Sequence, residues 1–109
     1  MKKFLFISSF FILAQGIFAQ DIVIDAFDWG YKPDKVILKK GEPVKLTLTS
    51  SDGKHGLGSK ELGFNLKASP EKPETIEFTP DKVGTFEGDC TVSCGRGHRD
   101  MKVTFEVQE

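Results

Sequence analysis

The sequence predicts an all-β domain, an antiparallel sandwich or small barrel. Three observations lead there: short runs in which apolar and polar residues alternate with a period of two, turn residues between those runs, and no helical period after the first twenty residues. A chain of 109 residues is the size of one domain.

The elements follow in order. Residues 21–27 are apolar and β-branched. Residues 35–38 form a second run, closed by the Lys39-Lys40-Gly41-Glu42-Pro43 turn. Residues 44–49 alternate strictly, which implies one buried face. Residues 62–67 form a weaker strand, and 75–79 alternate again. Residues 84–89 lead into Cys90, and 102–107 close the chain with clean alternation. Pro33, Gly41, Pro43, Gly53, Pro70, Pro73, Pro80 and Gly84 punctuate the gaps. No internal repeat, linker or low-complexity tract interrupts this pattern.

Residues 1–19 stand apart. Lys2 and Lys3 precede an apolar run over 4–13, which is short for a bilayer span, and small residues follow up to Ala19. This reads as a secretory signal peptide cleaved after Ala19, leaving a domain over 20–109. No later segment is long and apolar enough to cross a membrane. The expected location is therefore the periplasm or the exterior, peripheral to the inner membrane. Without the leader, 13 basic residues face 16 acidic ones, a formal charge of −3. That balance excludes nucleic-acid binding as a function class.

The chemistry is concentrated in few residues. Both cysteines, both histidines and the one methionine after the initiator fall into a single pattern: Cys90, Cys94, His98 and Met101 read C-x3-C-x3-H-x2-M, and His55 stands upstream. Thiolate, imidazole and thioether together select copper over harder cations. The late cluster lies between two predicted strands, and His55 is expected in another inter-strand loop; loops at one end of a sandwich meet. Two arrangements are open. Cys94, His98, Met101 and His55 make a mononuclear blue-copper set, which leaves Cys90 over. Alternatively both thiolates bridge two coppers, each taking one histidine, with Met101 and a backbone carbonyl of the 90–94 loop completing them. A plainer alternative is a structural disulfide between Cys90 and Cys94, expected when copper is missing. It closes a short ring and leaves His55, His98 and Met101 without a role.

These residues resemble the CuA domain of cytochrome c oxidase subunit II and of nitrous oxide reductase. The ligand loop Cys90-Thr-Val-Ser-Cys94-Gly-Arg-Gly-His98-Arg-Asp-Met101 has the family spacing. The stretch Leu48-Thr49-Ser50-Ser51-Asp52-Gly53-Lys54-His55 is similar to the family's strand end before its first histidine, and Phe27-Asp28-Trp29-Gly30-Tyr31-Lys32-Pro33 to its aromatic opening strand. The resemblance implies a cupredoxin-like Greek-key β-sandwich. It also implies bridging Cys90 and Cys94, terminal His55 and His98, axial Met101 and the carbonyl of Val92 around two copper ions. The chain departs from the oxidase pattern at Val92, where the family usually has glutamate, and its aromatic patch is reduced to Trp29 and Tyr31.

The function implied is electron transfer. A c-type cytochrome or similar carrier would be the donor, and a terminal oxidase or reductase the acceptor. The domain has no acid–base pair and no open substrate position, so it is not an enzyme alone but an electron-entry component. Two other functions use the same residues: Cu(I) binding and delivery, and a secreted sandwich with a structural cysteine pair. Arg96 and Arg99 would either guide an anionic partner surface or haem propionates or be exposed loop arginines with no role, and Asp52 would either support a ligand or cap its turn.

Overall fold

The structure, a computed structural model, describes residues 19–28, 30–91 and 101–109. The expected leader lies outside these residues except for Ala19. Among the described residues there are nine strands and no helix. The strands are β1 (Gln20–Phe27), β2 (Gly30–Lys32), β3 (Lys35–Lys39), β4 (Val44–Ser50), β5 (His55–Ser59), β6 (Phe64–Ala68), β7 (Glu74–Phe78), β8 (Gly84–Asp89) and β9 (Lys102–Gln108).

They form two sheets, in the orders β2-β1-β4-β7 and β3-β9-β8-β5-β6. The core lies between them. Ile24 and Ala26 of β1 and Val44, Leu46 and Leu48 of β4 face inward from the first sheet. Val36, Leu38, Leu57, Leu66, Val103, Phe105 and Val107 face them from the second. The alternation read in the sequence is the alternation of burial: β4 is buried at every second position, as is β9. Phe105 anchors the centre, edge-on to Phe64 with ring centroids 5.7 Å apart.

Three features differ from the sequence expectation. The sandwich is mixed rather than antiparallel: β1 pairs with β4 in parallel, and β3 with β9. Alternation reports which face is buried and carries no sign of strand direction. Second, His55 opens a strand instead of sitting in a loop, and the weaker strand begins at Phe64 rather than at position 62. All five residues of β5 are buried, so His55-Gly56-Leu57-Gly58-Ser59 has no polar face to give a period of two. Third, the three-residue β2 is too short to carry a pattern.

One pairing matters for the site. β8 is bonded to β9 along its whole length, from Gly84↔Val107 to Asp89↔Lys102, but to β5 only at Gly58↔Asp89. Beyond that point the strands diverge around a groove of about 870 Å³, with Phe64, Ile76 and Phe86 among its walls.

Phe105→Ala empties the middle of this core, and a buried aromatic truncated to alanine typically costs ~3–5 kcal/mol. Urea unfolding of the variant should show a loss of that size with an unchanged slope.

Candidate metal centre

The strand registers bring three of the sequence-identified residues to one end of the second sheet. β5 begins at His55, β8 ends one residue before Cys90, and Met101 immediately precedes β9. Asp89 faces Lys102 on β9, so Cys90 and Met101 continue from the same end of that ladder. Asp89 also faces Gly58, so antiparallel β5 runs back from there to His55 beside the segment that carries Cys90. Met101 is fully buried within the core cluster, and Cys90 is partly buried against it. Val92, Cys94 and His98, like Trp29, Arg96 and Arg99, lie outside the described residues.

Close approach at this end depends on two glycines. A Cβ on Gly56 would stand 2.8 Å from Thr91 Oγ1 and 3.3 Å from its backbone nitrogen; one on Gly58 would stand 2.7 Å from Thr91 Cγ2. The residue after Cys90 therefore lies directly on the backbone of β5. Its hydroxyl donates to Asn65 Oδ1 at 2.7 Å, which ties it to β6. From the opposite sheet, the buried Tyr31 hydroxyl donates to the carbonyl of Gly56. Burial, and then the nearby Asp89 carboxylate, push the Tyr31 phenol well above its ordinary pKa, so it remains a neutral donor. The residue beside His55 is thus held from both sides.

His55 itself is 1% exposed. Its Nε2 lies 2.9 Å from Asp52 Oδ1 and 3.9 Å from Asp28 Oδ1. Its Nδ1 is buried and has no hydrogen-bond partner. Buried polar atoms are rarely left so, and each exception needs a reason. A metal ligand is such a reason, because a ligating histidine typically donates its other ring N–H to a carboxylate. Asp52 is held below the usual carboxylate range, chiefly by its hydrogen bond with His55; desolvation opposes this, and the Asp28 N–H adds a smaller lowering. Asp28, Asp52 and His55 each place one ligand-type atom within 4.8 Å of the others. Both carboxylates stand on the Nε2 side of the ring, while the unpartnered Nδ1 and the sulfurs of Cys90 and Met101 at the same sheet end are donor types that fit a soft metal.

Cys90 is disulfide-bonded, and no described cysteine is free. As a metal ligand it has to be a thiolate, so this form is the oxidised one.

Sequence reasoning missed two contributors. Gly56 and Gly58 are a G-x-G in a strand, and glycine inside a strand is itself a sign of close backbone approach. Tyr31 stood out only as an aromatic, and its bond across the sandwich has no local signature.

The comparisons agree with this fold. A family model described as a cupredoxin-like domain matches residues 4–98. Cytochrome c oxidase subunit 2 of Thermus thermophilus is 28% identical over 88 residues, covering 81% of this chain and 65% of its own length. The chain therefore spans just under two thirds of that relative. The crystal structure of the periplasmic domain of subunit II of cytochrome oxidase from Bradyrhizobium japonicum superposes with a TM-score of 0.74 at 18% identity, covering 82% of this chain and 83% of that one, a likeness of fold. The metal-binding domain of the Streptococcus pneumoniae Cu(I)-exporting P-type ATPase, solved with Cu(I), has a TM-score of 0.63 at 27% identity, covering 82% and 85%.

Gly58→Ala should destabilise the fold by roughly 1–3 kcal/mol, the usual cost of forcing an extra carbon into a packed site. Thr91→Ser removes the Cγ2 that the new Cβ meets, so the double variant should recover part of the loss in a thermal-melt double-mutant cycle. Simple additivity would show that the two residues are not in contact.

Proposed function

Because the chain belongs to the cupredoxin-like domain family, we propose that it binds copper and transfers single electrons. The ligands are His55, Cys90, Cys94, His98, Met101 and the carbonyl of Val92, around two copper ions. One observation carries this reading: a buried imidazole with an unpartnered Nδ1 stands at the sheet end where Cys90 and Met101 arrive. The relation to cytochrome c oxidase subunit 2 supports it. On this reading the donor is a c-type cytochrome or similar carrier, the acceptor is a terminal oxidase or reductase, and the domain works in the periplasm after removal of residues 1–19. Among the described residues no helix is long and apolar enough to cross a membrane.

The chain's own residues set the conditions. His55 is aimed before any metal arrives, because Asp52 holds its Nε2 and Gly56 is fixed by Tyr31. His55 opens a strand and Cys90 and Met101 adjoin the ends of two others, so these donors are carried by a packed scaffold that reorganises little when charge changes, which favours fast electron exchange. Copper, when bound, supplies the one-electron redox change. Cys90 requires reduction first: a dithiol donor gives two electrons and two protons, its own sulfurs become a disulfide, and Cys90 and the cysteine bonded to it become thiols. Loss of those thiol protons then generates the thiolates.

A second reading, Cu(I) binding for delivery, is favoured by the likeness to the metal-binding domain of a Cu(I)-exporting ATPase. Metal analysis separates the two. Protein loaded with copper after thiol reduction should hold two coppers per chain and be purple, with an electron spin resonance signal shared over both nuclei. One copper with a blue spectrum would mean a mononuclear site. Facile copper transfer to an acceptor protein, without reversible redox chemistry, would mean delivery. Unreduced protein should take up little copper, and full loading of the disulfide form would remove the cysteines from the ligand set.

A further inference from the structure

We propose that Asp52 and Asp28 form a carboxylate clamp outside His55, in which Asp52 makes the ring an Nδ1 ligand and both charges bias bound copper toward its oxidised state. This rests on the copper reading above and adds a tuning role to residues that do not touch the metal.

The clamp is built from three segments. Asp52 lies in the turn between β4 and β5, Asp28 directly follows β1, and His55 opens β5. An ionised carboxylate only accepts hydrogen bonds, so its 2.9 Å contact with Nε2 places the ring proton there and leaves the lone pair on Nδ1. That lone pair is the buried, unpartnered atom. The other Asp52 oxygen accepts the Asp28 N–H at 3.4 Å, which links the end of β1 to the histidine. The turn itself is fixed by the Ser50 hydroxyl, which donates to the carbonyl of Gly53 at 2.7 Å, and by Gly53 at φ 66°. Asp52 is thus a positioning residue on a restrained support.

Asp28 plays a different part. Its Oδ1 is 3.9 Å from Nε2, too far for a hydrogen bond but close enough for charge to matter. Two negative charges then stand one imidazole away from the metal. Oxidised copper carries more positive charge than reduced copper, so the pair stabilises the oxidised form and lowers the reduction potential. The two side chains are 42% and 52% exposed, so solvent and salt moderate the effect.

The test begins with metal-free protein. Nitrogen-15 shifts of the His55 ring should show the proton on Nε2 in the natural chain and in Asp52→Asn, whose amide oxygen still accepts it. Asp52→Ala should lose that preference and bind copper roughly 10–100-fold more weakly, the usual cost of removing such a partner. After copper loading, Asp28→Asn and Asp52→Asn should both raise the reduction potential, and lower salt should enlarge the difference. A tenfold change in the ratio of oxidised to reduced affinity reads as about 59 mV for one electron. The clamp is overturned if the natural ring carries its proton on Nδ1, or if both asparagine variants, folded by circular dichroism, keep the original potential. Failure of the reduced natural chain to bind copper would sink the copper reading and the redox bias with it. The ring-proton measurement would still decide the positioning role.

Discussion

A histidine and a cysteine 35 positions apart meet at one sheet end only if the backbones carrying them can touch. Gly56 and Gly58 provide that contact, because any side chain there would occupy the volume of Thr91. The remaining features of the site depend on it. The single β5–β8 bridge at Gly58↔Asp89 sets the height at which the Cys90 segment leaves the sheet. The Thr91–Asn65 bond holds the segment down, and the Tyr31 hydroxyl holds β5 from the other side. The metal-binding end is therefore shaped first by what β5 lacks and only then by what its neighbours add.

Strand reading from alternation worked where each strand has one wet face. β4 and β9 are examples: their buried positions are apolar, Ser50 at the end of β4 excepted, and the positions between are Lys, Thr, Glu and Gln. It failed for β5, which is buried on both faces and rich in glycine, so propensity argued for a loop while tertiary packing demanded a strand. Parallel pairing of β1 with β4 was also illegible, since direction is decided by the path of the chain between sheets. At the site, residue type and spacing singled out His55, Cys90 and Met101 as candidate donors, and the strand registers bring these three to one sheet end. They said nothing of which imidazole nitrogen faces inward, because that depends on Asp52 three positions earlier and on Asp28 from another strand.

The oxidised pair and the preformed histidine describe two separate requirements for the same centre. The imidazole is ready in the folded chain, its orientation set by neutral packing and by a carboxylate. The sulfur side is not, because Cys90 is bonded to sulfur rather than available as an anion. On the copper reading proposed above, folding and metal readiness are thus distinct events in this domain. The large buried core shared by both sheets holds the scaffold.

The divergence of β8 from β5 also leaves part of a strand without a neighbour. Past Gly58↔Asp89, no β5 partner pairs with the outer edge of β8 among the described residues. An uncovered edge is a template on which a second molecule can polymerise. Thr85, Glu87 and Asp89 point outward along it, and Lys60 and Glu61 stand on the facing wall. Glu87 is paired with Lys102 of β9 at 3.8 Å, so the opening presents charges of both signs, which any strand laid along it would have to strip of water.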